Sequence, residues 1–447
     1  MSFNVFKNTV LLFLLIMISC GSKSKTEYER QKTEDGRQKM RVENSKFGAN
    51  DLKLKANKLN TENCQLNTIL VGANQTEKYL QLLNGKRIGI VVNQTSVIFN
   101  DGRQKTEDGR RKTDDRSFTH LVDSLISLKV DVKKVFAPEH GFRGTADAGE
   151  KVKDGIDTKT GLPIISLYGK NRKPTTEHLK NIDIMIFDIQ DVGARFYTYI
   201  SSLHYVMEAC AELNIPLLIL DRPNPNAHYV DGPILEPEHQ SFVGMHPVPV
   251  VHGMTIGEYA KMINGESWLE NGIKCEITVI PVENYVHNTF YSLLIKPSPN
   301  LPSDRAINLY PSLCFFEGTN VSIGRGTDKQ FQVYGSPFIA DVDINYCFTP
   351  QPNKGAKYPK HQGIECCGFD LSDGERLYEI NLSYLLKMYS FALDKDKFFN
   401  NFFTKLAGTK KLQQQIEQGL TEAEIKATWQ KGLKRFIKIR EKYLIYN

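Results

Sequence analysis

The sequence predicts an α/β protein with a doubly wound, mostly parallel sheet, followed by a smaller α+β domain. Between residues 86 and 222, short runs of Ile, Val and Leu alternate with helical patterns. This alternation is typical of parallel sheets that are covered by helices on both faces. After about residue 265 the pattern changes to Pro-rich and Gly-rich runs with polar helical stretches. The chain of 447 residues, 40% apolar, is long enough for two such domains.

The predicted elements follow one another in βα order. Runs of branched apolar residues predict strands at 86–93, 132–138, 162–169, 182–189, 215–222 and 274–282. Helical periodicity predicts helices at 119–128, 175–181 and 199–213, and a further helix that Thr255 caps. Pro138 ends the second strand because it lacks a backbone donor and biases Ala137 toward an extended conformation. Gly141 and Gly144 then permit a tight turn.

The N-terminal residues predict an exported protein. Residues 1–20 combine Lys7, an apolar run and a small residue before Cys20, which resembles a bacterial lipoprotein signal with Cys20 as the lipidated residue. An ordinary signal peptide is the alternative. The segment RQKTEDGR occurs at 30–37 and again at 103–110. Its charged composition predicts a disordered tether over 21–64 and a surface insertion at about 101–116.

Several classes of function are disfavoured. The net charge of +6 is modest at this length and indicates no nucleic-acid partner. The sequence has no GxGxxG motif after the first strand, no P-loop and no GxSxG motif, so a nucleotide-dependent enzyme is not expected. The cysteines are irregularly spaced without a CxxC pair, so we expect neither a metal site nor a disulfide framework. No cofactor is predicted.

Polar residues collect in the loops that follow the predicted strands. The carboxyl ends of parallel strands lie along one edge of a sheet, so these residues should face one cleft. The alternative is that each serves the fold, for example through a pair between Asp188 and Arg195. The residues are Glu139, His140, Arg143, Asp188, Asp191, Arg195, Tyr197, Tyr199 and Asn224, joined by Asn300, Glu317 and Arg325 from the second domain.

Seven ordered motifs carry a specific resemblance. They are FAPEHGFRGTADAGEKV, TGLPIISLYG, FDIQDVGARFYTYI, LDRPNPN, PVVHGMTIGE, PSPNLP and FEGTNVSIGRGT. In this order they resemble the bacterial NamZ-type exo-β-N-acetylmuramidases. The resemblance implies a Rossmann-like catalytic domain at 65–260, a C-terminal domain at 261–447 and an active cleft between them. It also implies release of N-acetylmuramic acid from the non-reducing end of peptidoglycan fragments. Glu139 is then the candidate catalytic residue, and His252 of PVVHGMTIGE joins the substrate-binding candidates.

Glycoside hydrolysis needs an acid and usually a second carboxylate. Asp188, Asp191 and Glu317 are all candidates for the second group. A muramyl sugar carries a lactyl carboxylate, which an arginine can bind bidentately, and the candidates are Arg143, Arg195 and Arg325. Tyrosines such as Tyr197 and Tyr199 are expected to stack on the sugar. The protein is expected in the bacterial cell envelope, lipid-anchored in the periplasm or outer membrane. The alternative function is that of a non-catalytic peptidoglycan-binding lipoprotein.

Overall fold

A computed structural model describes residues 68–99, 118–144, 154–169, 171–340, 344 and 346–446. Its central feature is a seven-stranded sheet, in the spatial order β5-β6-β4-β1-β7-β8-β9. The strands of this sheet are β1 (Arg87–Val92), β4 (Asp131–Ala137), β5 (Gly155–Ile156), β6 (Pro163–Ser166), β7 (Ile184–Asp188), β8 (Leu217–Leu220) and β9 (Ile277–Ile280). The pair β2 (Val97–Phe99) and β3 (Phe118–His120) forms a separate antiparallel ribbon. The predicted fold class is confirmed.

All neighbours in the large sheet are parallel except the edge pair β5 and β6, which is antiparallel. Strands β4 and β6 lie on one side of β1, and β7, β8 and β9 lie on the other. This is the doubly wound order of dinucleotide-binding folds, in which ligands bind where the winding reverses. Strand β9 lies beyond residue 260 in the chain, yet it pairs with β8. The division at residue 260 stays a prediction.

Both faces of the large sheet are buried, which explains its unbroken apolar strands. Along β7, Met185 and Phe187 belong to one hydrophobic cluster, whereas Ile184 and Ile186 belong to the other. Successive side chains of a strand point to opposite faces, so each strand contributes to two cores. This double burial is the physical origin of the branched apolar runs in the sequence.

Helices cover these faces and form most of the C-terminal part. The α-helices are Thr76–Leu83, Leu121–Ser127, Thr176–Leu179, Tyr199–Glu212, Ile256–Gly265, Asp304–Leu313, Ser383–Phe391, Phe403–Ala407, Lys411–Glu417 and Glu422–Arg440. The 3₁₀ turns are Gly72–Asn74, Pro237–His239, Glu270–Gly272, Cys314–Gly318 and Lys395–Lys397. Thr255 caps its helix as expected, because its side chain accepts from the backbone of Glu258 and the Glu258 side chain accepts in return.

A smaller antiparallel sheet consists of β10 (Val333–Ser336), β11 (Tyr346–Phe348) and β12 (Cys366–Asp370). Strand β12 lies between the other two. Cys347 and Cys367 lie opposite each other in it and form a disulfide. The expectation that no disulfide is present was therefore wrong. The spacing of these cysteines carried no signal because their pairing depends on strand register.

Some predictions lie outside the described residues. These are the signal segment with Cys20, the tether at 21–64 and the insertion at about 101–116. Among the residues that the structure describes, no helix combines the length and the apolar character that crossing a membrane requires.

Candidate active site

A cavity of about 1150 Å³ opens beside the carboxyl edge of the large sheet. Its size exceeds the roughly 300–1,000 Å³ of most small-molecule sites, so it has room for more than one sugar ring. Both the sheet loops and the C-terminal part line it. Of the residues predicted from the sequence, those that line it are Glu139, His140, Tyr197, Asn300, Glu317 and Arg325.

Glu139 projects from the turn that follows β4. The strand ends at Ala137, and the backbone N–H of Gly141 donates to the carbonyl of Pro138. His140 has φ 71°, which is uncommon for a residue with a side chain, and Gly141 has φ 74°. Two consecutive left-handed residues reverse the chain within one turn, and this places half-buried Glu139 at the cavity wall. Such backbone strain is typical of functional sites.

Two hydroxyl groups orient the Glu139 carboxyl group. The Tyr168 hydroxyl donates to Oε1 at 3.1 Å, and the Thr198 hydroxyl donates to Oε2 at 2.8 Å. Tyr168 follows β6, and Thr198 precedes the helix that begins at Tyr199. Loops after three different strands therefore hold one carboxyl group in a fixed direction. Preorganisation of this kind is what a catalytic acid requires.

Glu317 lies in the same cavity, on the 3₁₀ turn that follows the helix Asp304–Leu313. Arg325 Nε donates to its Oε1 at 2.6 Å. Burial opposes ionisation of Glu317, but the charges of Arg325 and Lys360 outweigh it, so the pKa of Glu317 is lowered. The cavity thus contains a second carboxyl group besides that of Glu139, and the neighbouring cations keep this second group ionised.

Tyr197 and Asn300 connect the sheet loops to the C-terminal part. The Tyr197 hydroxyl donates to the carbonyl of Pro297 at 2.8 Å. The Asn300 amide donates to the carbonyl of Gly355 at 2.6 Å, while its buried Oδ1 has no hydrogen-bond partner among the described residues. That oxygen is a buried acceptor behind the cavity wall.

Two predicted carboxylates do not line the cavity. Asp188 is fully buried, and Arg222 donates to both of its oxygens, at 2.5 and 2.9 Å. Asp188 therefore pairs with Arg222, and not with Arg195, which was the partner considered from the sequence. Asp191 accepts from the backbone N–H of Gly193, and burial raises its pKa to about 7.

His252 also lies outside the cavity, with its Nε2 3.9 Å from Oδ2 of Asp191. Burial lowers the pKa of His252 to about 3. Its Nε2 and the Oδ1 of Asp191 are buried without a hydrogen-bond partner among the described residues. His252 is therefore a neutral side chain of the interior, next to a carboxyl group whose pKa is raised by burial.

The remaining predicted residues stabilise loops. Arg143 binds Asp157 and Asp123, at 2.8 and 3.2 Å. The Asn224 amide donates to a backbone carbonyl at 2.9 Å. The Tyr199 hydroxyl donates to the backbone carbonyl of Glu139 at 3.4 Å, directly behind the site.

Arg195 is completely buried, and its two terminal nitrogens donate to four backbone carbonyls. The acceptors are Pro233, Val248, Leu406 and Ala407, at 2.7 to 2.9 Å. Burial lowers the pKa of Arg195 to about 9. Its role is to join backbone segments, and it does not reach the cavity.

Three residues of the site were not predicted from the sequence, namely Tyr168 and Thr198, whose hydroxyls hold Glu139, and the cation Arg172. Arg172 lines the cavity, with its guanidinium carbon 4.3 Å from the ring centroid of Phe242. Tyr168 and Thr198 lie within motifs that the sequence analysis singled out, TGLPIISLYG and FDIQDVGARFYTYI. The rule that loops after parallel strands meet at one edge applies to both residues, and it was not extended to them.

Two carboxyl groups in a cleft with aromatic walls and no nucleotide-binding motif are typical of a glycoside hydrolase. The sequence model of the exo-β-N-acetylmuramidase NamZ N-terminal domain matches residues 88–305, and that of the NamZ C-terminal domain matches residues 308–446. The chain belongs to the NamZ family. The peptidoglycan β-N-acetylmuramidase NamZ of Bacillus subtilis (strain 168) is 39% identical in an alignment 389 residues long that covers 82% of this chain and 89% of that protein.

Two crystal structures are similar to this chain. Both are of DUF1343 family proteins from Bacteroides fragilis NCTC 9343, and in each case the match covers 85% of this chain and 99% of the other. One has a TM-score of 0.74 at 46% identity, and the other has 0.69 at 27%. These matches agree with the parallel sheet and its C-terminal extension.

The pKa of Asp191 leads to a testable pH dependence. Its folded pKa of about 7 lies above the ordinary value of 3.8, so between these values the folded protein keeps a proton that the unfolded chain has lost. Stability from this group is therefore present at low pH and is lost as the pH rises through 7, by at most about 1.4 kcal/mol per pH unit. Asp191→Asn does not titrate and keeps an oxygen for the N–H of Gly193.

We expect the free energy of unfolding of Asp191→Asn, relative to the unmodified protein, to increase between pH 5 and 7 and then to level off. Urea unfolding at pH 5, 6, 7 and 8 measures this difference. A difference that does not change with pH would show that Asp191 is already ionised in the folded protein at pH 5.

Proposed function

We propose that this protein is an exo-acting glycoside hydrolase that releases N-acetylmuramic acid from the non-reducing end of peptidoglycan fragments. The observation that carries the proposal is that Glu139 and Glu317 line the same cavity in a chain that belongs to the NamZ family. The relative from Bacillus subtilis is named for the same bond and the same sugar.

In this proposal Glu139 is the general acid. Its carboxyl group is oriented by Tyr168 and Thr198, and it protonates the glycosidic oxygen as the bond to the terminal sugar breaks. Glu317, held ionised by Arg325, is the second carboxylate. It either stabilises and attacks the oxocarbenium-like centre or activates a water, as in other glycosidases. Of the three candidates that the sequence left open, Glu317 is the one that lines the cavity.

The lactyl carboxylate of the muramyl sugar is assigned to Arg325. Of the three arginines considered from the sequence, Arg143 is bound to carboxylates and Arg195 to backbone carbonyls, whereas Arg325 lines the cavity. Its Nε is used by Glu317, and the guanidinium carries further N–H donors on its terminal nitrogens. A guanidinium can bind two carboxylates at once through its different edges.

We further propose that the protein is a lipoprotein of the bacterial cell envelope, in the periplasm or at the outer membrane. The support is the sequence of residues 1–20, which ends in Cys20. A lipid anchor would keep the enzyme close to the wall fragments on which it acts.

Glu139→Gln tests the catalytic assignment. Gln can keep hydrogen bonds with both hydroxyls but has no acid proton to donate, so hydrolysis of a chromogenic β-N-acetylmuramide should fall by about 10²-fold or more at an unchanged melting temperature. Glu177→Gln is the matched control, since the side chain of Glu177 is 80% exposed. A Glu139→Gln variant that keeps more than about a tenth of the activity contradicts the assignment. An unmodified protein that binds the muramide without cleaving it would instead support the non-catalytic alternative.

Arg325→Met tests recognition of the lactyl group. The loss of a charge-assisted pair should lower kcat/KM for the muramide by an amount equivalent to about 2–4 kcal/mol. Because Arg325 also holds Glu317, the deciding quantity is the ratio of kcat/KM between the muramide and the corresponding glucosaminide, which should fall. Arg143→Met is the control and should leave this ratio unchanged. If the ratio is also unchanged in Arg325→Met, Arg325 does not bind the lactyl group.

Cys20→Ser tests the anchor. Stable membrane attachment needs acyl chains on this cysteine, so the variant should move from the membrane fraction to the soluble fraction while its kcat on the muramide stays the same. Fractionation of cells with an antibody against the protein measures this shift. An unchanged distribution argues against lipidation of Cys20.

A further inference from the structure

The segment between Cys347 and Cys367, called here the disulfide loop, forms one wall of the cavity. The disulfide closes it at its base, between β11 and β12. Its central residues, 355–360, all line the cavity. Glu139, Glu317 and Arg325 lie outside this loop, and within it Lys360 contributes a charge that helps to keep Glu317 ionised.

The loop is attached to the cavity floor on both sides of its tip. Lys360 donates to three backbone carbonyls, at 2.7 to 3.0 Å. The carbonyl of Gly355 accepts a hydrogen bond from the Asn300 amide at 2.6 Å. Gly355 has a φ of 110° and lies so close to Pro299 that no side chain would fit at this position. His361 contacts the carbonyl of Asn320 at 2.6 Å. The tip is therefore held by contacts that do not depend on a ligand.

Tyr358 lies at this tip and is 92% exposed, although it borders the cavity. A single exposed tyrosine is unremarkable on a protein surface. Here, however, the Gly355 carbonyl on one side and the side chains of Lys360 and His361 on the other anchor the chain within three residues of Tyr358. These anchors lower the entropy cost of presenting the ring at the mouth of the cavity. A tyrosine ring offers an apolar face and a polar edge, which suits stacking on a sugar ring.

The direction of the substrate follows from the position of the acid. In an exo-acting hydrolase the acid lies between the terminal sugar and the leaving group. Glu139 is half-buried in the cavity wall, whereas Tyr358 is almost fully exposed. In the proposed function, the terminal sugar is therefore expected in the enclosed part of the cavity, with the leaving group toward the opening. The cavity volume of about 1150 Å³ also exceeds the needs of one sugar.

We propose that Tyr358, presented by the disulfide loop, is a stacking surface for the first sugar of the leaving group. This inference rests on the proposed exo-glycosidase function. It makes Tyr358 a specificity residue for a saccharide leaving group, without a part in bond cleavage. The chemical class that it recognises is a pyranose ring of the wall glycan on the reducing side of the cleaved bond.

The experiment compares two substrates that share the muramyl sugar and differ in the leaving group. One is β-N-acetylmuramyl fluoride, whose leaving group has no ring, and the other is the disaccharide of N-acetylmuramic acid β-1,4-linked to N-acetylglucosamine. In Tyr358→Ala, kcat/KM for the disaccharide should fall about tenfold, whereas kcat/KM for the fluoride should not change. Tyr358→Phe keeps the ring face and should retain most of the activity on both substrates.

Tyr378→Ala is the matched control, because Tyr378 is 67% exposed and does not line the cavity. It should leave both substrates unaffected. An equal loss on both substrates in Tyr358→Ala, or no loss on the disaccharide, overturns the inference. If the unmodified protein cleaves neither substrate, the proposed function fails. Calorimetric binding of the disaccharide to the unmodified protein and to Tyr358→Ala then decides the role of Tyr358 separately.

Discussion

The arrangement of the cavity depends on one buried guanidinium. Arg195 comes from the loop after β7 and donates to carbonyls of the 233–248 segment and of the helix Phe403–Ala407. Leu406, one of its acceptors, lines the cavity, as do Tyr197 and Thr198 just after Arg195 in the chain. Arg195 has no carboxylate partner among the described residues, and its buried Nε has no hydrogen-bond partner there either. Burial of such a cation costs free energy, and the four carbonyl contacts offset part of that cost. The buried Arg195 guanidinium thus joins the two walls of the site.

The site itself is shared between the two parts of the chain. The sheet provides Glu139 and the hydroxyls that orient it, and the C-terminal part provides Glu317 with Arg325. The two carboxyl groups have different neighbours, since hydroxyls surround one and cations the other. Different environments allow chemically similar groups to take different roles in acid and base catalysis. The site therefore needs both parts, and one continuous cavity is bordered by residues from 139 to 406.

Much of the fold could be predicted because it follows from local patterns. A strand buried on both faces must be apolar throughout, so β1, β7 and β8 were recognisable from their sequences. Pro138, Gly141 and Gly144 marked the turn at Glu139 in the sequence, and the positive φ of both glycines agrees with that prediction. The disulfide could not be predicted in the same way, because its cysteines are 20 residues apart and meet only through the register of β11 and β12.

By itself, the sequence determined the fold class, the family and the position of Glu139 at the end of a strand, because all three depend on residues that are neighbours in the chain. It could not choose among Asp188, Asp191 and Glu317, and it favoured Arg195 and Arg325 equally over Arg143, since each group holds identical or similar side chains in polar loops. Only the tertiary structure separated them, through burial and partners. Asp188 pairs with Arg222 in the interior, and the terminal nitrogens of the buried Arg195 donate to backbone carbonyls, whereas Glu317 and Arg325 line the cavity. The charge and solvent exposure of a side chain are set by residues far away in the chain, and no local pattern records them.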